Sequence, residues 1–186
     1  MKIFIFLFAS FIALSCSSNK KQAISNTNDF NTKTTVDSFK YEELTVQFLN
    51  NWKLVENSNQ DSNSKMLIWE REGIESSGQF IVTITNIRFD LDFVLNLMKS
   101  NLFSSIPINK SLIKENDIRK IKYLGVDALD QKYRYEYKGS YVSGRFLVFR
   151  KNNKTFTLLF QTDESDKEKN IEGFDYFEKN LKINTR

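Results

Sequence analysis

The chain has 186 residues, with 27 Lys and Arg against 23 Asp and Glu for a net charge of +4, one cysteine and no histidine. That length makes one domain plus a tail. Without histidine the chain has no Ser-His-Asp or Cys-His nucleophile, no usual zinc site and no histidine ligand for haem, and so small a basic excess does not announce nucleic acid.

Residues 1–15 read as an export signal. Lys2 supplies a short positive start, and Ile3 to Leu14 form an apolar run broken only by Ser10. The run is well short of the roughly 20 apolar residues a membrane-spanning helix needs. Ala13-Leu14-Ser15-Cys16 follows directly and resembles the lipobox of bacterial lipoproteins. The resemblance implies acylation of Cys16, the sole cysteine, and attachment to an inner or outer membrane of the cell envelope. Residues 16–40 are rich in Asn, Ser, Thr and Lys and lack periodicity, as expected of a flexible tether. A coil of that length reaches roughly 25–30 Å.

The single domain is expected over 41–186. Leu44 to Phe48 alternates as a strand, and Trp52 to Val55 makes a second after the Asn50-Asn51 turn. Glu56 to Ser64 is polar and predicts a loop. Met66–Arg71 and Gln79–Ile87 are rich in β-branched and aromatic residues and predict strands. Leu91, Val94, Leu95, Met98 and Leu102 then fall at helical spacing, with Asp90 as N-cap and Pro107 beyond the end. Residues 117–124 predict a weak strand.

Leu129–Tyr137, Tyr141–Arg150 and Thr155–Gln161 follow, joined by Lys138-Gly139-Ser140 and Asn152-Asn153. Connections this short demand an antiparallel meander. Ser165 to Glu168 predicts a capping box for a last helix, with Ile171, Phe174, Phe177 and Leu181 as its apolar stripe. The class is α+β: a central antiparallel sheet with flanking helices.

In this order of elements the chain resembles the PsbP-like superfamily. The likeness is carried by Val46–Phe48 and Asn51–Val55, by the helix Asp90–Ser104, and by Gly125-Val-Asp-Ala128 leading to Tyr133–Tyr137. Phe146–Phe149, Phe156–Phe160 and Ile171–Leu181 complete it. It covers roughly residues 40–184 and implies an α/β/α sandwich that binds other proteins and has no common catalytic residues.

Other patterns reduce to ordinary structure. Gly139-Ser-Tyr-Val-Ser-Gly144 has P-loop glycine spacing without the Lys-Ser/Thr that holds phosphate and metal. Asn57, Asn59, Asp61 and Asn63 imitate the start of a calcium loop but lack its central glycine and terminal glutamate. Glu70 and Glu72, two apart on a strand, would share a face as carboxylates for acid–base work, which leaves a histidine-free hydrolase as a remote reading. No metal or cofactor is expected.

Arginine and tyrosine are enriched at protein interfaces, and Arg134, Arg145, Arg150 and Tyr141 on the meander are the candidate partner-binding residues. The expected role is therefore a membrane-anchored, non-enzymatic lipoprotein that binds an envelope protein. The alternative is a carrier or sensor of a small apolar ligand held between helix 90–104 and the sheet.

Overall fold

The computed structural model describes residues 35–73, 78–107 and 112–184. Strands β3 (Trp52–Asp61), β4 (Ser64–Arg71), β5 (Gly78–Thr85), β8 (Val126–Tyr137), β9 (Ser140–Lys151) and β10 (Lys154–Asp163), with the short β6 (Lys114–Glu115), form one antiparallel sheet. Its order is β3-β4-β5-β10-β9-β8-β6, and β7 (Arg119–Tyr123) also pairs with β8. A smaller sheet, β1-β2-β11, joins Val36–Tyr41, Leu44–Leu49 and Lys182–Ile183. The helices are α1 (Leu91–Ser105) and α2 (Lys167–Asn180).

The meander forms as its turns dictate. Lys138-Gly139 and Asn152-Asn153 each place two residues at positive φ, which matches the right-handed twist of a two-residue hairpin. Alternation then sorts side chains to opposite faces of the large sheet. Leu147, Phe149, Phe156, Leu158 and Phe160 join Phe177 of α2 and Leu44, Val46 and Phe48 of the small sheet in one core. Phe146, Val148, Leu159, Tyr133 and Tyr135 join Val94, Leu95 and Phe103 of α1 in the other. The molecule is thus α1, then the large sheet, then a layer made of α2 and the small sheet.

Asp90 caps α1 as expected, its carboxylate accepting the backbone N–H of Asp92 and Phe93. Four expectations need correction. The first strand begins at Val36, inside the segment read as tether, and is held by pairing along β2. Glu56 to Asp61 is not loop but the second half of β3. Among the described residues this strand is the outer edge of the sheet and pairs only with β4, so it needs no apolar face.

The capping box does not form. Asp163 caps a 3-10 turn at Glu164–Asp166 that precedes α2, and Asp166 makes no side-chain cap to the helix. Finally, Ile171 lies 50 % exposed, and the buried stripe of α2 is Asn170, Gly173 and Phe177, with Phe174 packed beside it. A side chain at Gly173 would collide with the indole of Trp52, so the bare backbone is what lets α2 close on the sheet.

Candidate functional site

The four meander residues do not form one surface. Arg145 lies under α2, its Nε donating to Asp130 Oδ1 at 2.5 Å and its Nη1 to Glu178 Oε2 at 2.6 Å. Asp130 has no solvent exposure and also receives Arg119. Burial alone would lower the pKa of Arg145, but its hydrogen bonds to Asp130 and Glu178 outweigh that and raise it. Arg150 faces the other side of the sheet, by strand alternation, and donates to the Phe89 carbonyl at the entrance to α1.

Arg134 is engaged with Glu164 Oε2 at 2.6 Å, and its guanidinium lies 4.0 Å from the ring centre of Tyr141. Tyr141 is 46 % exposed and is the member of the group most open to solvent, near the β8–β9 turn. The alternating tyrosines Tyr133 and Tyr135 are core residues beneath α1. Burial pushes both hydroxyls well above their ordinary range.

A different site emerges on the α1 side. Strands lie roughly 4.8 Å apart and a helix is roughly 10–12 Å across, so one helix cannot cover a sheet this wide. Helix α1 packs mainly on β8 and β9, and among the described residues the same face of β3, β4, β5 and β10 is only partly covered beside it. The result is a groove of about 440 Å³ between α1 and the sheet.

Its floor follows from the strand registers. Glu70, Gln79 and Gln161 form a polar row across β4, β5 and β10, and Gln79 Nε2 donates to Glu70 Oε1 at 2.7 Å. The next row is apolar, with Ile68, Ile81 and Leu159. The third is Met66, Thr83 and Thr157. From above, α1 contributes Leu97, Met98 and Leu102. At the outer wall, Glu56 and Gln60 of β3 stand in a hydrogen-bonded ladder through Ser58.

No known family description and no curated protein matches the sequence. Solved structures do. Cyanobacterial PsbP (CyanoP) of Synechocystis sp. PCC 6803 superposes with a TM-score of 0.57 at 12 % identity, covering 87 % of this chain and 99 % of its own. The yeast Ran-binding protein Mog1p, from Saccharomyces cerevisiae, gives 0.53 at 7 % identity over 81 % of this chain and 96 % of its own. LpqN of Mycobacterium tuberculosis, described as involved in cell envelope biogenesis, gives 0.50 at 11 % identity over 82 % and 92 %. The fold is PsbP-like.

Within this PsbP-like sandwich the remaining sequence patterns fall apart by geometry. Asn57, Asn59 and Asp61 run along extended β3 rather than around a loop, and no cluster of three metal-ligating side chains exists among the described residues. Glu70 lines the groove, whereas Glu72 lies past the end of β4 and pairs with Lys53. Gly144 sits inside β9, where a side chain would strike the Tyr133 ring and the Phe160 carbonyl. Its place is set by close packing, not by phosphate. Cys16 lies outside the described residues, and none of the helices described is long and apolar enough to cross a membrane.

The groove was only partly foreseeable. Met66, Ile68 and Ile81 alternate with Leu67, Trp69, Phe80 and Val82, an apolar pattern on both strand faces that signals cover on both sides. That the second cover would be a single helix, set over the far strands, is not written in any local pattern.

Proposed function

We propose that this chain is a non-enzymatic binding protein, acylated at Cys16 and tethered to a membrane of the cell envelope, that receives its ligand in the groove between α1 and the open half of the sheet. The observation that carries this reading is the groove itself. It is concave, floored by strands and mostly apolar, with a few polar groups, as small-molecule sites generally are. Its size lies inside the roughly 300–1,000 Å³ such sites occupy. The absence of histidine in the chain accords with binding rather than catalysis.

A photoreactive side chain at Leu97, on the groove rim, should give adducts in intact envelopes. The same group at Ile171, which is more solvent-facing on α2 than Leu97 is on α1, should give few. Equal labelling at the two positions would refute the assignment. The anchor is checked separately: Cys16→Ala should leave the chain unprocessed or outside the membrane fraction.

A second reading, an envelope protein docked at the meander, is favoured by the exposed Arg134–Tyr141 stack. Arg134→Glu would then abolish a crosslink formed from Tyr141, whereas Arg150→Glu would leave it intact. Persistence of the crosslink in Arg134→Glu would remove this reading.

A further inference from the structure

The floor of the groove holds a group that the fold leaves unsatisfied. Thr157 is 4 % exposed, and its Oγ1 is buried without a hydrogen-bond partner. A buried hydroxyl without a partner has given up its hydration with nothing in return. Its neighbours on β10, Phe156 and Leu158, belong to the opposite core, and Thr157 lines the groove. The strand therefore sets the Thr157 side chain on the groove side of the sheet, beside the Ile81–Leu159 row, with its hydroxyl covered by the residues around it.

Charge narrows what the channel accepts. Two carboxylates, Glu56 and Glu70, stand among the lining residues, and among the described residues no lysine or arginine does. An anionic head group beside Glu56 and Glu70 would be repelled, and the nearby Arg150 is already engaged by the Phe89 carbonyl at the end of the groove. Apolar walls, one unsatisfied hydroxyl and two carboxylates, on the floor and the outer wall, together describe an elongated uncharged amphiphile.

We propose that the groove binds an uncharged single-chain lipid, its aliphatic chain along Ile68, Ile81 and Leu159 and its hydroxyl or ester oxygen on Thr157 Oγ1. This rests on the groove being the binding site and adds the chemical class of its occupant. Selection against fatty acids comes from Glu56 and Glu70.

The described methionines, Met66 and Met98, both line the groove and make it directly observable. The full chain, labelled with ¹³C at the methionine methyls and held in phosphatidylcholine nanodiscs, would be titrated with monolauroylglycerol and, separately, with laurate. Monolauroylglycerol should shift the Met66 and Met98 methyls saturably, and laurate should not. Thr157→Val keeps the shape and removes the hydroxyl. It should weaken monolauroylglycerol by about three- to tenfold, the worth of one neutral hydrogen bond.

Glu56→Gln with Glu70→Gln should admit laurate while retaining monolauroylglycerol. Laurate binding to the unaltered chain as tightly as monolauroylglycerol, or unmoved methionines with both lipids, would overturn the proposal. Unmoved methionines alongside a protein adduct at Leu97 would overturn the lipid while leaving the groove as the site. Loss of the Leu97 adduct as well would remove both.

Discussion

The two faces of the large sheet are covered in different ways. On one, α2 and the three-stranded sheet close over Trp52, Trp69, Phe80 and Phe177, whose rings meet at centroid distances of 4.3 to 5.8 Å. The ion pair of Arg145 with Asp130 and Glu178 lies along the same face. On the other, α1 packs against β8 and β9 and leaves a groove over the rest. Stability is concentrated where the cover is complete, and the partly covered face keeps apolar surface that an occupant can use. In this fold, the groove follows from what one helix is too narrow to reach.

The contrast can be broken by substitution. Phe177→Ala, which opens a cavity among four aromatic rings, should cost about 3–5 kcal/mol in urea unfolding. A cost below about 1 kcal/mol would mean that α2 is loosely held. Arg145→Ala would strand the buried Asp130 carboxylate. Removal of one partner of a buried pair costs about 3–5 kcal/mol, and because Arg119 remains on Asp130 the lower end is expected. A charge reversal of Arg134, Arg145 and Arg150 together should therefore unfold the chain by circular dichroism, and it cannot serve as a clean binding test.

Gly173→Ala tests packing against propensity. In an exposed helix the change would stabilise by about 1 kcal/mol. Against the Trp52 indole it should instead destabilise by about 1–3 kcal/mol, as overpacked sites do. On the open face, Thr157→Val should raise stability by about 1 kcal/mol, since it deletes an unsatisfied buried hydroxyl. Leu97→Ala, at a 38 % exposed rim position, should change stability by less than about 0.5 kcal/mol. A large loss there would mean that α1 is clamped to the sheet and the groove is core.

Much of the fold is legible in sequence because it rests on local rules. The Asp90 cap, the Asn152-Asn153 turn and the Tyr133–Tyr135 alternation are each set by neighbours along the chain or across one hairpin. What escapes is set by position in the whole sheet. Glu56 to Asp61 reads as loop because edge strands carry no apolar signature, and Ile171 reads as core because its helix rotates to bring Gly173 onto Trp52. The three meander arginines look alike in sequence. Only the register shows that Arg145 meets a buried carboxylate, Arg150 a backbone carbonyl and Arg134 an exposed ring.

Hydrogen exchange of the full chain, compared in its own membranes and after extraction into detergent, tests most directly whether the open face is the binding face. Slower exchange in membranes is expected for α1, β4 and β5, with α2 unchanged in both states. Protection gained on α2 alone, or no difference at α1, β4 and β5, would contradict the division of the molecule into a sealed structural face and an open binding one.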